Sequence, residues 1–238
     1  MALNPSGRVA LEYARDGLAN PVQSLVDTDE QWTAGIRIPR TGRGRQTQER
    51  LMEAASKIFI RDGFLCAKIT EIAADAHVSS GSFYTYFDSK ESIFIAVIKE
   101  VNKAMFTSAV GPPHLSRDPL VRLEGATRAY IRAYRDNAGL LAILEQVATI
   151  SPRFRNMRRE IRRIFRDRSE RSIARLQREG RIDPNLDSQC IAEALTSMVG
   201  NFCYVWLVLG EEYDEDQAVQ TLTSIWAAGI GLKVDLVP

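Results

Sequence analysis

The stretch "SSGSFYTYFDSKESIF" (residues 79–94) gathers short hydrogen-bonding groups of a particular kind. Ser80, Ser82 and Thr85 carry small hydroxyls, and Gly81 has no side chain to hold a neighbouring surface away. Tyr84 and Tyr86 each join an aromatic body to a phenolic hydroxyl, and Lys90 adds a cation just beyond them. Groups of this type donate to and accept from base edges and phosphate oxygens. They are poorly suited to covalent chemistry. A nucleophile with its base is missing, since the chain has no Cys–His or Glu-x-x-His spacing and no phosphate loop. Two histidines and three widely spaced cysteines (Cys66, Cys190, Cys203) give no metal-ligand spacing. The expectation is a protein that is not an enzyme and uses neither metal nor cofactor, with its thiols reduced and buried.

Side chains of this kind need an element that presents them. Ser79 is a good N-cap for a helix over 80–86, whose first turn offers unpaired N–H groups and partial positive charge. Upstream, Ile69, Ile72, Ala73 and Ala76 recur at helical spacing, and "AHVS" follows as a turn. Earlier still, Leu51, Ala54, Ala55, Ile58 and Phe59 form the inner stripe of a helix over 47–61, ended by Gly63. Two short helices joined by a tight turn, the second hydroxyl-rich at its start, make the helix-turn-helix pattern. Helical spacing also sorts the aromatics: Phe83 and Phe87 face inward, whereas Tyr84 and Tyr86 face out. Asp88 or Ser89 starts a fourth helix with Ile93, Phe94, Val97, Ile98, Val101 and Met105 on one face, broken by "GPPH" near Gly111.

Further helices are predicted over 119–136, 138–150, 152–179, 187–209 and 216–232, with no strand-like alternation anywhere. The fold class is all-α, with about nine helices. Residues 1–46 read as a flexible extension, with a marginal amphipathic piece at 11–18 and a basic arm "RIPRTGRGRQ" at the end. Residues 47–92 then form the helix-turn-helix domain and 93–238 a second helical domain. No charged n-region precedes an apolar run, so no secretory signal is predicted. The longest apolar run, 202–209, is too short to span a membrane, which leaves a cytoplasmic protein with no membrane partner.

The net charge of +1 conceals strong asymmetry. Residues 37–90 carry net +3, 153–181 net +8 with 12 arginines, and 182–238 net −8. The arginine-rich segment invites a second nucleic-acid reading, but Phe154, Met157, Ile161, Ile164, Phe165, Ile173 and Leu176 form an inward stripe with most arginines opposite. A solvated, ion-pairing face is expected, with the acidic C-terminal region as partner. Arg168 is the exception, because it continues the inward stripe. It could meet an anionic effector, or equally Glu145, Glu193 or an acid across a dimer. The run "SMVGNFCYVWLVLG" is apolar around most of its helix, so burial on two sides is expected. A four-helix contact between two subunits would supply it, through Val199, Phe202 and Trp206 with Leu222, Ile225 and Trp226.

"ITEIAADAHVSSGSFYTYFDSKESIF", preceded by "RLMEAASKIFIRDGF", resembles the N-terminal domain of the tetracycline-repressor (TetR) family of bacterial regulators. The resemblance is specific over 47–101 and extends to helix count and lengths beyond. It implies a homodimer whose reading heads enter successive major grooves of a pseudo-palindromic operator in double-stranded DNA. The second domains would hold a small-molecule effector, with an anionic or acyl-CoA-like compound as a candidate, and the dimer contact. By that resemblance Ser80, Gly81, Ser82 and Thr85 carry base or near-base contacts, and Thr70, Tyr84, Tyr86 and Lys90 hold phosphates. Arg43 and Arg45 of the arm reach phosphates or the minor groove. The implied function is a nucleoid-associated regulator, most simply a repressor released by its effector through a signal carried along the fourth helix. A ligand-independent architectural DNA binder and a helical enzyme are the alternatives. Two positions depart from the family pattern: His77 stands where a turn glycine is usual, and Lys68 where a capping Ser or Thr is usual.

Overall fold

The structure is a computed structural model that describes residues 34–109 and 118–232. The marginal helix at 11–18 and the "GPPH" break lie outside them. Nine helices occupy the described residues: α1 (Gly42–Cys66), α2 (Ile69–Asp75), α3 (Ser80–Phe83), α4 (Lys90–Ala109), α5 (Pro119–Asp136), α6 (Ala138–Ile150), α7 (Pro152–Arg178), α8 (Ser188–Leu207) and α9 (Glu215–Gly229). No strand occurs among the described residues, so the all-α expectation holds. Thr41 moves the start of α1 ahead of the expected residue 47, because its hydroxyl accepts the Gly44 N–H at 3.1 Å and caps the helix there. At the other end α1 breaks at Gly63, which sits at φ 73°. α3 stops at Phe83 and continues as a turn rather than as helix to residue 86.

The chain divides into two compact units. One holds 34–103 together with 139–158, and the other 104–138 with 159–232. In the first unit α1 packs on α2 and α2 on α3. Its core is aromatic: Phe94 lies 5.1 Å from Phe59, 5.2 Å from Phe64 and 5.4 Å from Phe154, ring centre to centre. α6 joins this unit by close approach, since a β-carbon on Gly139 would meet Ile60 at 3.3 Å. Ser89 caps α4 in a reciprocal pair, its hydroxyl accepting the Ser92 N–H and its own N–H donating to the Ser92 hydroxyl, each at 3.1 Å.

In the second unit α5 packs on α8 and α9. Ile173, Leu176, Leu195, Ala227 and Ile230 are buried together, with Trp226 and Met198 packed against them. The acidic start of α9 finds its partners on α5 rather than on the arginine-rich α7. Glu215 accepts from Arg132 at 2.7 Å and Arg135 at 2.5 Å, and Asp216 accepts from Arg128. Those two guanidinium bonds, Arg135 first, hold the Glu215 carboxyl below the usual range. The arginines of α7 pair mainly within their own helix, Arg163 with Glu160 and Asp167, while Arg162 reaches Glu193 of α8 at 3.1 Å. The thiols also differ from expectation: only Cys203 is buried, its ionisation pushed up to about 12 by burial, whereas Cys66 and Cys190 are exposed. Cys66 falls where α1 ends and Cys190 in the first turn of α8, where neither helix has yet turned its face to the core.

Candidate nucleic-acid interface

The reading element is built from caps. Ser79 accepts the Ser82 N–H at 3.1 Å and shares a 2.9 Å hydroxyl–hydroxyl bond with Ser82, which starts α3 without any help from propensity. The turn before it closes helix α2 by two backbone bonds, Val78 N–H to the Ala73 carbonyl and His77 N–H to the Ala74 carbonyl, both at 3.0 Å. That pairing is the Schellman closure, whose pivot residue must be left-handed. His77 takes it at φ 55°, as expected of the residue in the family's glycine position. Lys68 precedes α2 without a side-chain cap, also as expected, and its ammonium instead lies 3.6 Å from Glu71.

Phe83 and Phe87 are fully buried and hold α3 to the unit's core. The face they leave outward carries Thr70, Ser80, Gly81, Tyr84 and Thr85, all exposed, with Ser82 and Tyr86 half-buried. Tyr84 is 48% exposed and rests edge-on against Phe83 at 5.4 Å, leaving its hydroxyl at the surface. Arg43 and Arg45 lie exposed on the first turn of α1. Short hydroxyls and a bare backbone position are thus exposed at α3, and guanidinium groups at the start of α1.

Lys90 stands differently. Its ammonium donates to the carbonyls of Leu65 and Ala67 at 2.9 Å each and lies 5.0 Å above the Phe64 ring. It closes the frayed end of α1, where carbonyls lack helical partners. These bonds use two of its three N–H groups.

Residues 51–97 match the family model described as "Bacterial regulatory proteins, tetR family". Residues 51–97 are a TetR-family DNA-binding domain. Over 176 residues the chain is 25% identical to the uncharacterised HTH-type transcriptional regulator YdgC of Bacillus subtilis, covering 71% of this chain and 85% of that one. It is also 25% identical over 176 residues to the HTH-type transcriptional repressor BepR of Brucella suis, covering 68% and 81%. Among solved structures, the fatty acid degradation regulator FadR from Bacillus halodurans superposes with TM-score 0.66 at 16% identity, over 82% of this chain and 100% of that one. The TetR-family regulator PfmR from Thermus thermophilus gives 0.60 at 19% identity, over 76% and 98%. The structural likeness is one of fold. With that domain, and with relatives that are HTH-type regulators, the chain is a DNA-binding transcriptional regulator, and α2, its turn and α3 are the helix-turn-helix.

Other residues named from the sequence are placed as follows. Arg168 is half-buried in the second unit, its guanidinium 5.0 Å above the Phe106 ring and donating to the Phe106 carbonyl at 3.4 Å. That carbonyl lies in the last turn of α4, so Arg168 serves a helix C-terminus. Glu145 pairs with Arg158, and Glu193 with Arg162 and Arg166. Of the six residues named for a dimer contact, Val199, Trp206 and Leu222 are buried within the protomer, Phe202 and Trp226 half-buried, and Ile225 46% exposed. Sequence reasoning missed the short segment before α1. Residues 34–37 pair with the chain beyond α3, and the only signal for it was the basic "RIPR", read as a free arm.

Proposed function

We propose that the protein is a dimeric repressor that reads a pseudo-palindromic operator through α3 and is released by a small-molecule effector. The observation that carries the reading is the exposed Ser80–Gly81–Ser82 entrance of α3, flanked by Tyr84, Thr85 and Tyr86 and capped by Ser79. In this reading Ser80, Gly81, Ser82 and Thr85 face the major groove. Thr70, Tyr84, Tyr86 and the remaining N–H of Lys90 take phosphates, and Arg43 and Arg45 extend the contact along the backbone. Repression is supported by the repressor BepR among the relatives. The protein would act in the cytoplasm, on the nucleoid.

Dimerisation is supported by α8. It is long and apolar enough to cross a membrane, with mean hydropathy 1.3, although the run at 202–209 alone is not. Only 28% of that stretch is buried within the protomer, and it also carries Glu193 and Asn201. A second copy of α8 and α9 covers it better than lipid does. Ile225→Glu is expected to give a monomer in sedimentation at micromolar concentration. A variant that sediments as the wild type removes α9 from the contact.

The effector is placed in the second unit, 104–138 and 159–232. A cleft of about 410 Å³ opens there against Ala104, Ala129 and Ala133, with Arg128 and Arg132 at its edge. Its lining joins small residues to Arg128 and Arg132, both already paired with acids of α9, and to Asp136 and Asn137, so it offers an effector apolar surface with polar groups of both signs. Binding would shift the population toward an arrangement in which the two reading heads no longer match successive grooves. A genome-wide binding map followed by footprinting tests the whole reading. Expected is a protected, two-fold symmetric site whose protection is abolished by a substrate or product of an enzyme encoded beside it. Binding without sequence preference would point instead to an architectural protein.

Lys90→Met gives a narrower test. It should lower the melting temperature, because the Leu65 and Ala67 carbonyls lose their donor, and should reduce the salt slope of DNA binding by about 0.9. An unchanged slope would confine Lys90 to its structural bonds.

A further inference from the structure

α3 is a helix of four residues, Ser80–Phe83, held to the core by the buried rings of Phe83 and Phe87, and too short to give the carbonyls of the turn between them helical partners. Thr85 N–H donates to Ser82, while Tyr86 and Phe87 N–H donate to Phe83, and there the local bonds end. The chain then meets the segment that precedes α1. Arg37 N–H donates to the Tyr86 carbonyl and Asp88 N–H to the Gly35 carbonyl, both at 2.9 Å, forming an antiparallel bridge between Ile36 and Phe87. Gly35 makes the approach possible: it sits at φ 83°, and a β-carbon there would meet Ser92 at 3.2 Å.

The segment is itself held from two helices. Gln48 of α1 donates to the Arg37 carbonyl at 3.0 Å, and Arg153, at the first turn of α7, donates to the Ala34 carbonyl at 3.0 Å. The Arg37–Asp88 ion pair at 2.9 Å is more than half exposed on both sides and adds little by itself. The backbone bonds and the two side-chain anchors therefore set the position of this segment.

We infer that residues 34–37 are a strap that completes the reading head, and that Arg153 is a positioning residue for DNA recognition. It acts through the strap, which fixes the Tyr86 carbonyl and with it the ring and hydroxyl beside the hydroxyl-rich face. Arg153 touches no DNA in this account. A change at the first turn of α7 therefore alters the strap and hence the precision of reading. The inference rests on the DNA-binding reading above and adds a residue from a helix outside the helix-turn-helix.

The test uses the full-length protein, a duplex that the wild type enriches from a random library, and a scrambled duplex of the same length. Arg153→Ala is expected to lose about tenfold in affinity for the enriched duplex, in line with the loss of a charged hydrogen bond, and to stay within about twofold on the scrambled one. Hydrogen exchange at the Arg37 and Asp88 amides should quicken, and Arg153→Lys should recover most of the selectivity. Gly35→Val, which strains the strap directly, should reproduce the loss. Unchanged selectivity in Arg153→Ala, or an equal fall on both duplexes, overturns the strap as a positioning device. A wild-type protein that enriches no sequence overturns the DNA-binding reading itself, and the strap's role with it.

Discussion

Gly81→Leu is expected to fold as the wild type does and to lose operator binding by about two orders of magnitude, roughly 2.7 kcal/mol. The fold has no need of a glycine there. A β-carbon on Gly81 would find its nearest neighbour, the Ser79 hydroxyl, at 3.8 Å, an ordinary contact. Glycine inside a helix also costs up to about 1 kcal/mol relative to alanine, so the native residue is locally unfavourable. In the proposed reading, the glycine lets the duplex come close from outside. A leucine side chain on this exposed position would stand between α3 and the groove floor. The melting temperature should stay level or rise slightly, while fluorescence anisotropy against the enriched duplex reports the loss. Gly81→Ala should fall between the two. Wild-type affinity in the leucine variant would show that this face of α3 does not approach DNA.

The second large effect is on stability. Phe94→Ala should cost about 3–5 kcal/mol, much of the margin of a typical domain. Phe94 is fully buried and touches three other rings at once, meeting Phe59 and Phe154 nearly edge to face at interplanar angles of 82° and 88°. Those rings come from α1, α4 and α7, so the cavity opens where three elements meet and none can close it alone. Denaturant titration followed by circular dichroism should show the midpoint falling, with DNA binding lost near 37 °C and recovered on cooling. Phe94→Leu should cost markedly less, since it refills part of the volume. An alanine variant with a native midpoint would mean that the aromatic cluster contributes little to the unit's stability.

The two outcomes separate what the same sixteen residues do. Gly81 is expected to matter for binding and not for folding, and Phe94 for folding first. Their roles follow from burial: Gly81 is exposed on α3, whereas Phe94 has no exposed surface.

Much of this was legible in the chain itself. The separators "NAG" and "SP", with their turn and capping chemistry, bounded α5 and α6, and the inward stripe of α7 is buried as read, with Phe165 half-buried. Ser79 was recognisable as a cap because capping chemistry is local, whereas the left-handed turn at His77 was implied only by the resemblance, through the family's usual glycine there. Phe83 and Phe87 were separable from Tyr84 and Tyr86 because residues four apart share a helix face.

The tertiary structure decided the partners. Periodicity reports that a face is buried, and is silent about what buries it. So Glu215 found Arg132 and Arg135 of α5 when the +8 stretch of α7 looked the stronger attraction, since charge alone does not say which helices pack. Lys90 reads from the sequence as a free cation, and the fold brings it to the Leu65 and Ala67 carbonyls. The strap is the extreme case, with Arg153 and Ala34 separated by 119 positions in the chain. No local propensity encodes a bond of that span. It forms only when α1 and α7 pack into one unit and bring the Ala34 carbonyl within reach of the Arg153 guanidinium.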